Sequence, residues 1–380
     1  MTTTRVTDAD VVVAGAGVIG LAVAWEVAAT GARVVVCDPS PATGASWAAA
    51  GMLAPVTESR IGEDDLVALG VASLALWPDF AARLEVSSGR AVGLRTEGTL
   101  AVGVDEDDRR ALDELAAVHR HLGLASERLA GGACRALEPS LHPRLRAGLL
   151  VPGDHQVDPR AVLDALLIAA GTAGVEMCTV AVGAVLSNDD RVTGVDLVDG
   201  SAVVAPAVVV AAGCRSGALG LPGPAPGVPV RPVKGQVLRL RADPLAMPVT
   251  RTIRALVHGW PVYLVPRRSG ELVVGATMEE RGFDTTVTAG AVHDLLRAAI
   301  EVIPEIAELE LVESTARLRP ATPDNGPLLG PGPVAGLIHA TGHHRSGVLL
   351  APITVETVLA TLAQRPVPDA AAAFDPKRFS

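Results

Sequence analysis

Residues 10–38 read DVVVAGAGVIGLAVAWEVAATGARVVVCD, and this stretch decides the fold. Asp10 to Val13 opens a short β-branched run, the residue type that suits a buried pleated strand. The turn Gly15-Ala16-Gly17-Val18-Ile19-Gly20 follows, then the apolar helical run LAVAWEVAAT, which stops at Gly31. A second buried strand, Arg33 to Cys37, ends at Asp38. Strand, glycine turn, helix and strand in that order make one βαβ unit. In that setting each glycine serves a separate purpose. Gly15 makes the tight turn, Gly17 lets backbone approach a pyrophosphate, and Gly20 lets helix and strand pack closely. The helix N-terminus stabilises the diphosphate charge, and Asp38 stands where an acid accepts hydrogen bonds from a ribose hydroxyl. A glycine turn with strand, helix and acid all in register reads as a dinucleotide site. It does not separate FAD from NAD.

Working outward, 49% of the 380 residues are hydrophobic, enough for two structural domains or one large one. The formal net charge is −10, a surface that disfavours nucleic acid and anionic membranes as partners. Aromatic residues make up 2% and Tyr263 is the single tyrosine, so base-stacking platforms are improbable. Cys37, Cys134, Cys178 and Cys214 are scattered without a CxxC pair, which suggests reduced thiols and neither zinc nor a disulfide framework. The nine histidines lack HExxH-type spacing, so no metal is expected. The polar start MTTTRVTDAD lacks a signal-peptide pattern, and no apolar run reaches a membrane span without charge, Gly or Pro. A cytoplasmic protein is the expectation.

Helices are expected at 60–85, at 105–122 with acids in its first turn, at 159–173 with Pro159 in the first helical position, and at 289–302. Residues 175–212 alternate as strands, with turns at Asn188-Asp189-Asp190 and Asp199-Gly200, and end in a buried run at Val208–Gly213. Further strands are expected at 234–241, 262–266 and 272–276. The Pro- and Gly-dense stretch 220–232 reads as a crossing between domains, and the tail from 366 reads as loose.

Two loops favour FAD over a nicotinamide. Thr43-Gly44-Ala45-Ser46-Trp47-Ala48-Ala49-Ala50-Gly51-Met52 follows the acid directly, and its small residues let backbone lie flat against a large planar ring. Thr341-Gly342-His343-His344-Arg345-Ser346-Gly347 precedes an apolar helix and resembles a flavoprotein loop whose backbone N–H groups face the flavin, which implies positive potential that would stabilise the reduced anion. Each alone is an ordinary glycine-rich loop.

With these blocks in hand the chain resembles the D-amino acid oxidase superfamily, and within it the glycine oxidase branch linked to thiamine biosynthesis. The resemblance runs over nearly the whole chain. It rests on the 10–38 block together with GASWAAAGMLAP, PVKGQVL, YLVPR, VGATMEERGFD, RLRPATPDNGPLLG and ATGHHRSGVLLAP, in the family's order. It implies an α/β fold: a Rossmann-like FAD-binding domain from 1–84, 148–230 and 312–380, with an inserted α+β, antiparallel-sheet substrate-binding domain from 85–147 and 231–311. It implies oxidative deamination of glycine and small amines such as sarcosine to imine or glyoxylate, ammonia and hydrogen peroxide. Oxygen would be the acceptor, thiazole synthase a candidate partner, and the assembly a homotetramer.

The resemblance also carries residues across. Arg319 matches the arginine that pairs with the substrate carboxylate, a role suited to its bidentate fork. Tyr263 matches a tyrosine on the same carboxylate, and Met52 and Met278 match walls of the substrate cavity, though methionine is commonly core filling. Arg345 matches the arginine of the flavin-facing loop, which more often reads GHYRNG; here His344 and Ser346 replace tyrosine and asparagine. Gly342, Gly347 and Val348 complete that loop, and Ala45, Ser46, Ala50, Gly51 and Met52 the first one. Val182 matches a strand residue whose backbone meets the adenine. Gly213 and Ser216 lie in a second FAD-facing turn. Asp38 replaces the commoner glutamate and is one methylene shorter. Arg317 stands where related enzymes carry a flavin-linking cysteine, which implies non-covalent FAD. The matched blocks supply no His–Asp or Glu base, so positioning of the substrate is the implied device. Open alternatives are a D-amino acid oxidase or dehydrogenase, a sarcosine- or proline-type enzyme, a non-catalytic FAD-binding protein, and a nicotinamide-dependent dehydrogenase.

Overall fold

The computed structural model describes residues 7–188, 190–222 and 228–379; Asp189 of the expected turn and 223–227 of the expected crossing lie outside them. The βαβ unit forms as read: strand Val11–Ala14, helix Val18–Ala28 and strand Val34–Cys37. Those strands sit inside a six-stranded sheet in the order Leu328–Pro331, Leu337–Thr341, Ala207–Val210, Val11–Ala14, Val34–Cys37, Glu176–Cys178. All neighbours are parallel except Leu328–Pro331 with Leu337–Thr341. Both faces are buried, which is why these strands are unbroken valine runs rather than alternating ones.

One face is covered by helices. Val18–Ala28, Asp64–Ser88, Pro159–Thr172 and Ala351–Leu362 enclose a core with Leu21, Trp77, Phe80, Leu163 and Val358. The other is covered by a small sheet of Thr7–Asp8, Ala202–Val204, Arg191–Leu197 and Val182–Asn188, whose Val185, Val195 and Val203 meet Val12, Val35 and Val208. By length and composition Asp64–Ser88 is the one helix among the described residues apolar enough to cross a membrane, yet it contains Pro78 and buries Trp77 and Phe80 in this core. Trp77 Nε1 and Ser73 Oγ both donate to the Leu349 carbonyl.

An eight-stranded sheet forms the second body, in the order Glu310–Ala321, Arg231–Arg241, Glu271–Gly275, Trp260–Pro266, Thr252–Val257, Thr99–Gly103, Ala147–Val151, Glu127–Ala130. Its neighbours are antiparallel, apart from the parallel pair Thr252–Val257 with Thr99–Gly103. The expected division assigned 148–151 and 312–321 to the nucleotide body. Strand pairing places them here instead, because Glu310–Ala321 hydrogen-bonds along its whole length to Arg231–Arg241, and Ala147–Val151 fills the gap beside Thr99–Gly103.

Helix Ala289–Val302 packs one face of this sheet through Leu295, Ala298 and Val302 against Leu238, Leu264 and Val274. The other face turns Val237, Val265, Val273 and Tyr263 toward Ala50 and Met52 of the nucleotide body. That seam holds the candidate site. The tail is a correction: Asp369–Phe374 and Pro376–Phe379 are 3-10 turns. Ala371 and Phe374 are buried, and Arg378 is paired to Asp324 at 2.8 Å, so apolar anchors and an ion pair hold the tail down.

Candidate active site

The glycine turn shows its constraints directly. Gly15 has φ +108°, in the left-handed region, and a Cβ there would collide with the Ala211 carbonyl. A Cβ on Gly20 would collide with the Gly15 carbonyl oxygen. At Gly17 the nearest atom to a Cβ is Ser46 Oγ at 3.4 Å, so the turn is open on that side. The helix that starts at Val18 has no side-chain cap and no acid in its first turn, so its positive end is not neutralised by the chain. Val18 N–H donates to Ser46 Oγ at 3.1 Å, which draws the 43–52 loop to that end. A diphosphate fits this cradle. Asp38 accepts from Ala16 N–H at 2.7 Å and from Ser40 N–H at 2.8 Å, so the acid braces the turn. Gly213, at φ +56°, follows the strand next to the turn, and Ser216 Oγ bonds Thr341 Oγ1 at 2.7 Å. Val182 is buried against Cys178 and Cys37, in the sheet that covers this edge.

The loop of small residues forms a short helix, Ala45–Ala48, and then Gly51 at φ +75°. Its carbonyls are gripped from outside by arginines that sequence reading left without a role. Arg317 Nε donates to Thr43 O at 2.9 Å. Arg160 Nε and Arg239 Nη2 each donate to Trp47 O at 3.2 Å. Arg267 Nη2 donates to Ala50 O, and its Nη1 to Gln156 Oε1 at 2.7 Å. Arg267 is buried, which pushes its guanidinium down to about 10. Three of the four stand on the eight-stranded sheet or just beyond one of its strands, so that sheet fixes the cofactor loop.

On the same face, Arg319 and Tyr263 each lie over a glycine of a neighbouring strand. A Cβ at Gly235 would strike the Arg319 guanidinium, and one at Gly275 would strike the Tyr263 ring. Arg319 Nη1 donates to Thr277 O at 3.1 Å, and among the described residues no carboxylate lies within ion-pair distance of it. Burial pushes the Tyr263 phenol up, and the Arg319 charge nearby opposes that. Thus the structure brings Arg319 and Tyr263 together from strands far apart in sequence. Met52 packs beside Tyr263 in a small apolar cluster with Ala50 and Val237. Met278 is 58% exposed and stands outside that cluster.

Sequence reading also missed Arg254 and Glu58. Arg254 is paired in register with Tyr263, and its Nη1 meets Glu58 Oε1 at 2.6 Å and Met52 Sδ at 3.9 Å. No local signal announces that pair, because its members are 196 positions apart. Beneath it Asp154 accepts from Val56 N–H, Thr57 N–H and Thr57 Oγ1, and burial raises its carboxyl to about 6.

The 341–348 loop differs in part from expectation. Gly342 has φ +77° as a turn requires, but the helix begins only at Ala351, after turns at Gly347–Leu350. The two histidines part company: His343 Nε2 bonds Thr354 Oγ1 at 2.9 Å, while His344, at φ +46°, has no partner for either ring nitrogen. His344 is 9% exposed; burial, with Arg345 and Arg319 nearby, holds it down to about 3. Its backbone N–H donates to Pro320 O at 2.8 Å, which ties this loop to the strand that carries Arg319. Arg345 is engaged by Glu63 at 2.5 Å and reaches toward the Glu58 carbonyl, with Nη1 left buried and unpartnered. Ser346 N–H closes a turn on His343 O, and Val348 is buried in the helical core. Buried polar atoms without partners around a neutral imidazole fit a polar ring system such as a flavin. Among the described residues no group of three His, Cys, Asp or Glu could hold a metal ion, and all four cysteines are free.

A family model described as FAD dependent oxidoreductase matches residues 10–360. The chain is 34% identical to a glycine oxidase of Geobacillus kaustophilus, over 91% of this chain and 90% of that protein. It is 35% identical to a bifunctional protein ThiO/ThiG of Synechocystis, over 98% of this chain but 54% of that protein. The chain thus spans about half the length of the bifunctional curated relatives it matches. The crystal structure of the Geobacillus kaustophilus glycine oxidase aligns with a TM-score of 0.89 at 32% identity, covering 98% of this chain and 99% of that one.

Proposed function

The chain belongs to the FAD-dependent oxidoreductase family, and from that premise we propose that it deaminates glycine, and small amines such as sarcosine, on the Arg319–Tyr263 face. The observation that carries the reading is the Arg319 guanidinium, laid flat over Gly235 beside Tyr263 and left without a carboxylate partner among the described residues. A fork held open in this way suits a substrate carboxylate. FAD, when bound, takes up the two electrons of the amine and returns them to oxygen as peroxide.

In this reading the protein binds and aims. Gly15, Gly17, Val18, Ile19, Gly20, Asp38, Val182 and Gly213 hold the dinucleotide. Ala45, Ser46, Ala50 and Gly51, together with the Gly342–Val348 loop, would hold the ring. Arg319 and the Tyr263 hydroxyl fix the carboxylate, while Met52 keeps water from the reacting carbon. Arg345 supports the site by anchoring the Glu58–Glu63 segment rather than by meeting substrate. No side chain is assigned as a general base: Glu58 is tied to Arg254, and His344, held down to about 3, is a weak one.

The products are the imine or glyoxylate, ammonia and hydrogen peroxide. The fused ThiO/ThiG relatives support delivery of the imine to a thiazole synthase. Non-covalent FAD, a homotetramer and a cytoplasmic location complete the proposal. The test is a panel of glycine, sarcosine, D-alanine and D-proline on purified protein with peroxide detection. Glycine turnover comparable to that of D-proline supports the reading; activity confined to larger D-amino acids overturns it. Arg319→Ala should raise the glycine KM about 100-fold, the loss of a charged bidentate contact worth about 3 kcal/mol. An unchanged KM in that variant removes the carboxylate assignment.

A further inference from the structure

We propose that a second cavity, at the end of the strands Thr99–Gly103 and Ala147–Val151, binds a small molecule bearing a phosphate or diphosphate group. The cavity measures about 610 Å³, and Arg135, Arg144, Arg146, His142, His258 and Glu301 line it. That volume falls in the range of about 300–1,000 Å³ typical of ligand sites. It is separate from the amine site: none of the residues that line it belongs to the Arg319–Tyr263 face or to the glycine turn.

The lining of this cavity carries more basic than acidic side chains. Beside three arginines the lining holds one carboxylate, Glu301, which bonds His258 Nε2 at 2.8 Å, and Asp105 takes the other ring nitrogen at 2.7 Å. Glu106 pairs with Arg109 at 2.5 Å, and Asp113 with Arg109 and Arg128. Arg135, Arg144 and Arg146 therefore converge on one space with no ion-pair partner among the described residues, in a chain whose net charge is −10. Glu301, and Glu106 near Arg146, offset part of this charge, and an anion from solution can offset the rest. Arg135 is fixed in place, since its Nη1 donates to the Pro143 carbonyl at 3.0 Å. His142 Nδ1 accepts from Arg144 N–H at 3.1 Å, so a neutral ring carries its proton on Nε2 and offers a further donor. One carboxylate would satisfy one fork. The terminal oxygens of a phosphate can accept from several donors at once, and they carry more than one charge. Val104 and Leu145 give the cavity an apolar wall on which an organic remainder can rest.

The test is isothermal titration of the FAD-loaded protein, whose nucleotide site is already filled, with inorganic phosphate, pyrophosphate and phenyl phosphate at constant ionic strength. Saturable one-to-one binding of at least one probe is expected, and the preferred probe tells a phosphate ester from a diphosphate. Arg144→Ser/Arg146→Ser should weaken that binding at least tenfold with flavin content and glycine turnover unchanged. Arg110→Ser, on an exposed helix outside the cavity, should leave it as it was. Absence of saturable heat with all three probes overturns the proposal. So does binding that survives the double substitution, or that is lost equally in Arg110→Ser.

Discussion

The glycine turn at residues 15–20 and the sheet face around Arg319 both rely on glycines, but in opposite ways. In the turn, the atom that a Cβ would strike is backbone: the Gly15 carbonyl for Gly20, the Ala211 carbonyl for Gly15. On the sheet, the atoms struck are the ends of side chains: the Arg319 guanidinium over Gly235 and the Tyr263 ring over Gly275. Backbone cannot yield without unmaking the βαβ unit, whereas a guanidinium can swing aside. The first set of glycines therefore shapes the fold and cofactor cradle together. The second set shapes only where two functional groups rest.

That contrast breaks most visibly at Gly20. Gly20→Val should abolish recovery of soluble yellow protein, because the helix can no longer close on its strand; normal flavin content in the purified variant would refute the packing account. Gly235→Ala should fold and retain FAD, yet raise the glycine KM about tenfold, equivalent to about 1.4 kcal/mol, with a smaller change in kcat. Steady-state kinetics checks this, and loss of flavin instead of carboxylate affinity would erase the distinction between the two regions.

A third substitution probes the seam between them. Arg267→Leu strips donors from the Ala50 carbonyl and from Gln156, both buried, at a cost of about 2 kcal/mol. FAD affinity, measured by titration of the apoprotein, should fall although Arg267 is assigned no contact with the cofactor.

A last effect is on acid stability. Burial holds His343 down to about 3 and His339 to about 4, against 6.5 for each when unfolded. The unfolded chain then takes up protons first as pH falls, so stability is full above 6.5 and declines from there toward pH 4. Melting temperature against pH should show that decline, and His343→Gln should lessen it, with His339 and His344 sustaining the rest and Asp154, raised to about 6, opposing it.

How far each region could be read in advance follows the same division. The βαβ unit was legible because its strand, turn and helix signals are contiguous and Gly20 acts on the Gly15 carbonyl five positions away, although the partner of Gly15 itself, the Ala211 carbonyl, is distant. Helices Pro159–Thr172 and Ala289–Val302 were legible for the same reason: an Asp–Pro start in one and strong amphipathic spacing in the other. Strand Glu310–Ala321, which carries Arg319, was seen only as a motif. The positions it turns toward the seam are Glu313, Thr315, Arg317 and Arg319, so it lacks the apolar run that marks a buried strand. Arg254 with Glu58, and the arginines on the 43–50 carbonyls, were invisible because each pairing joins segments more than a hundred positions apart. The tail misled for a related reason: Pro and Ala look loose until Phe374 finds Gly326, which a side chain there would block.

The most direct test of the central claim is anaerobic addition of glycine to the purified FAD-loaded protein and to its Arg319→Ala variant, followed by flavin absorbance. The account predicts rapid, saturable bleaching in the parent and reduction that no longer saturates at accessible glycine in the variant. Colour that persists in the parent, or identical saturation in both, would contradict it.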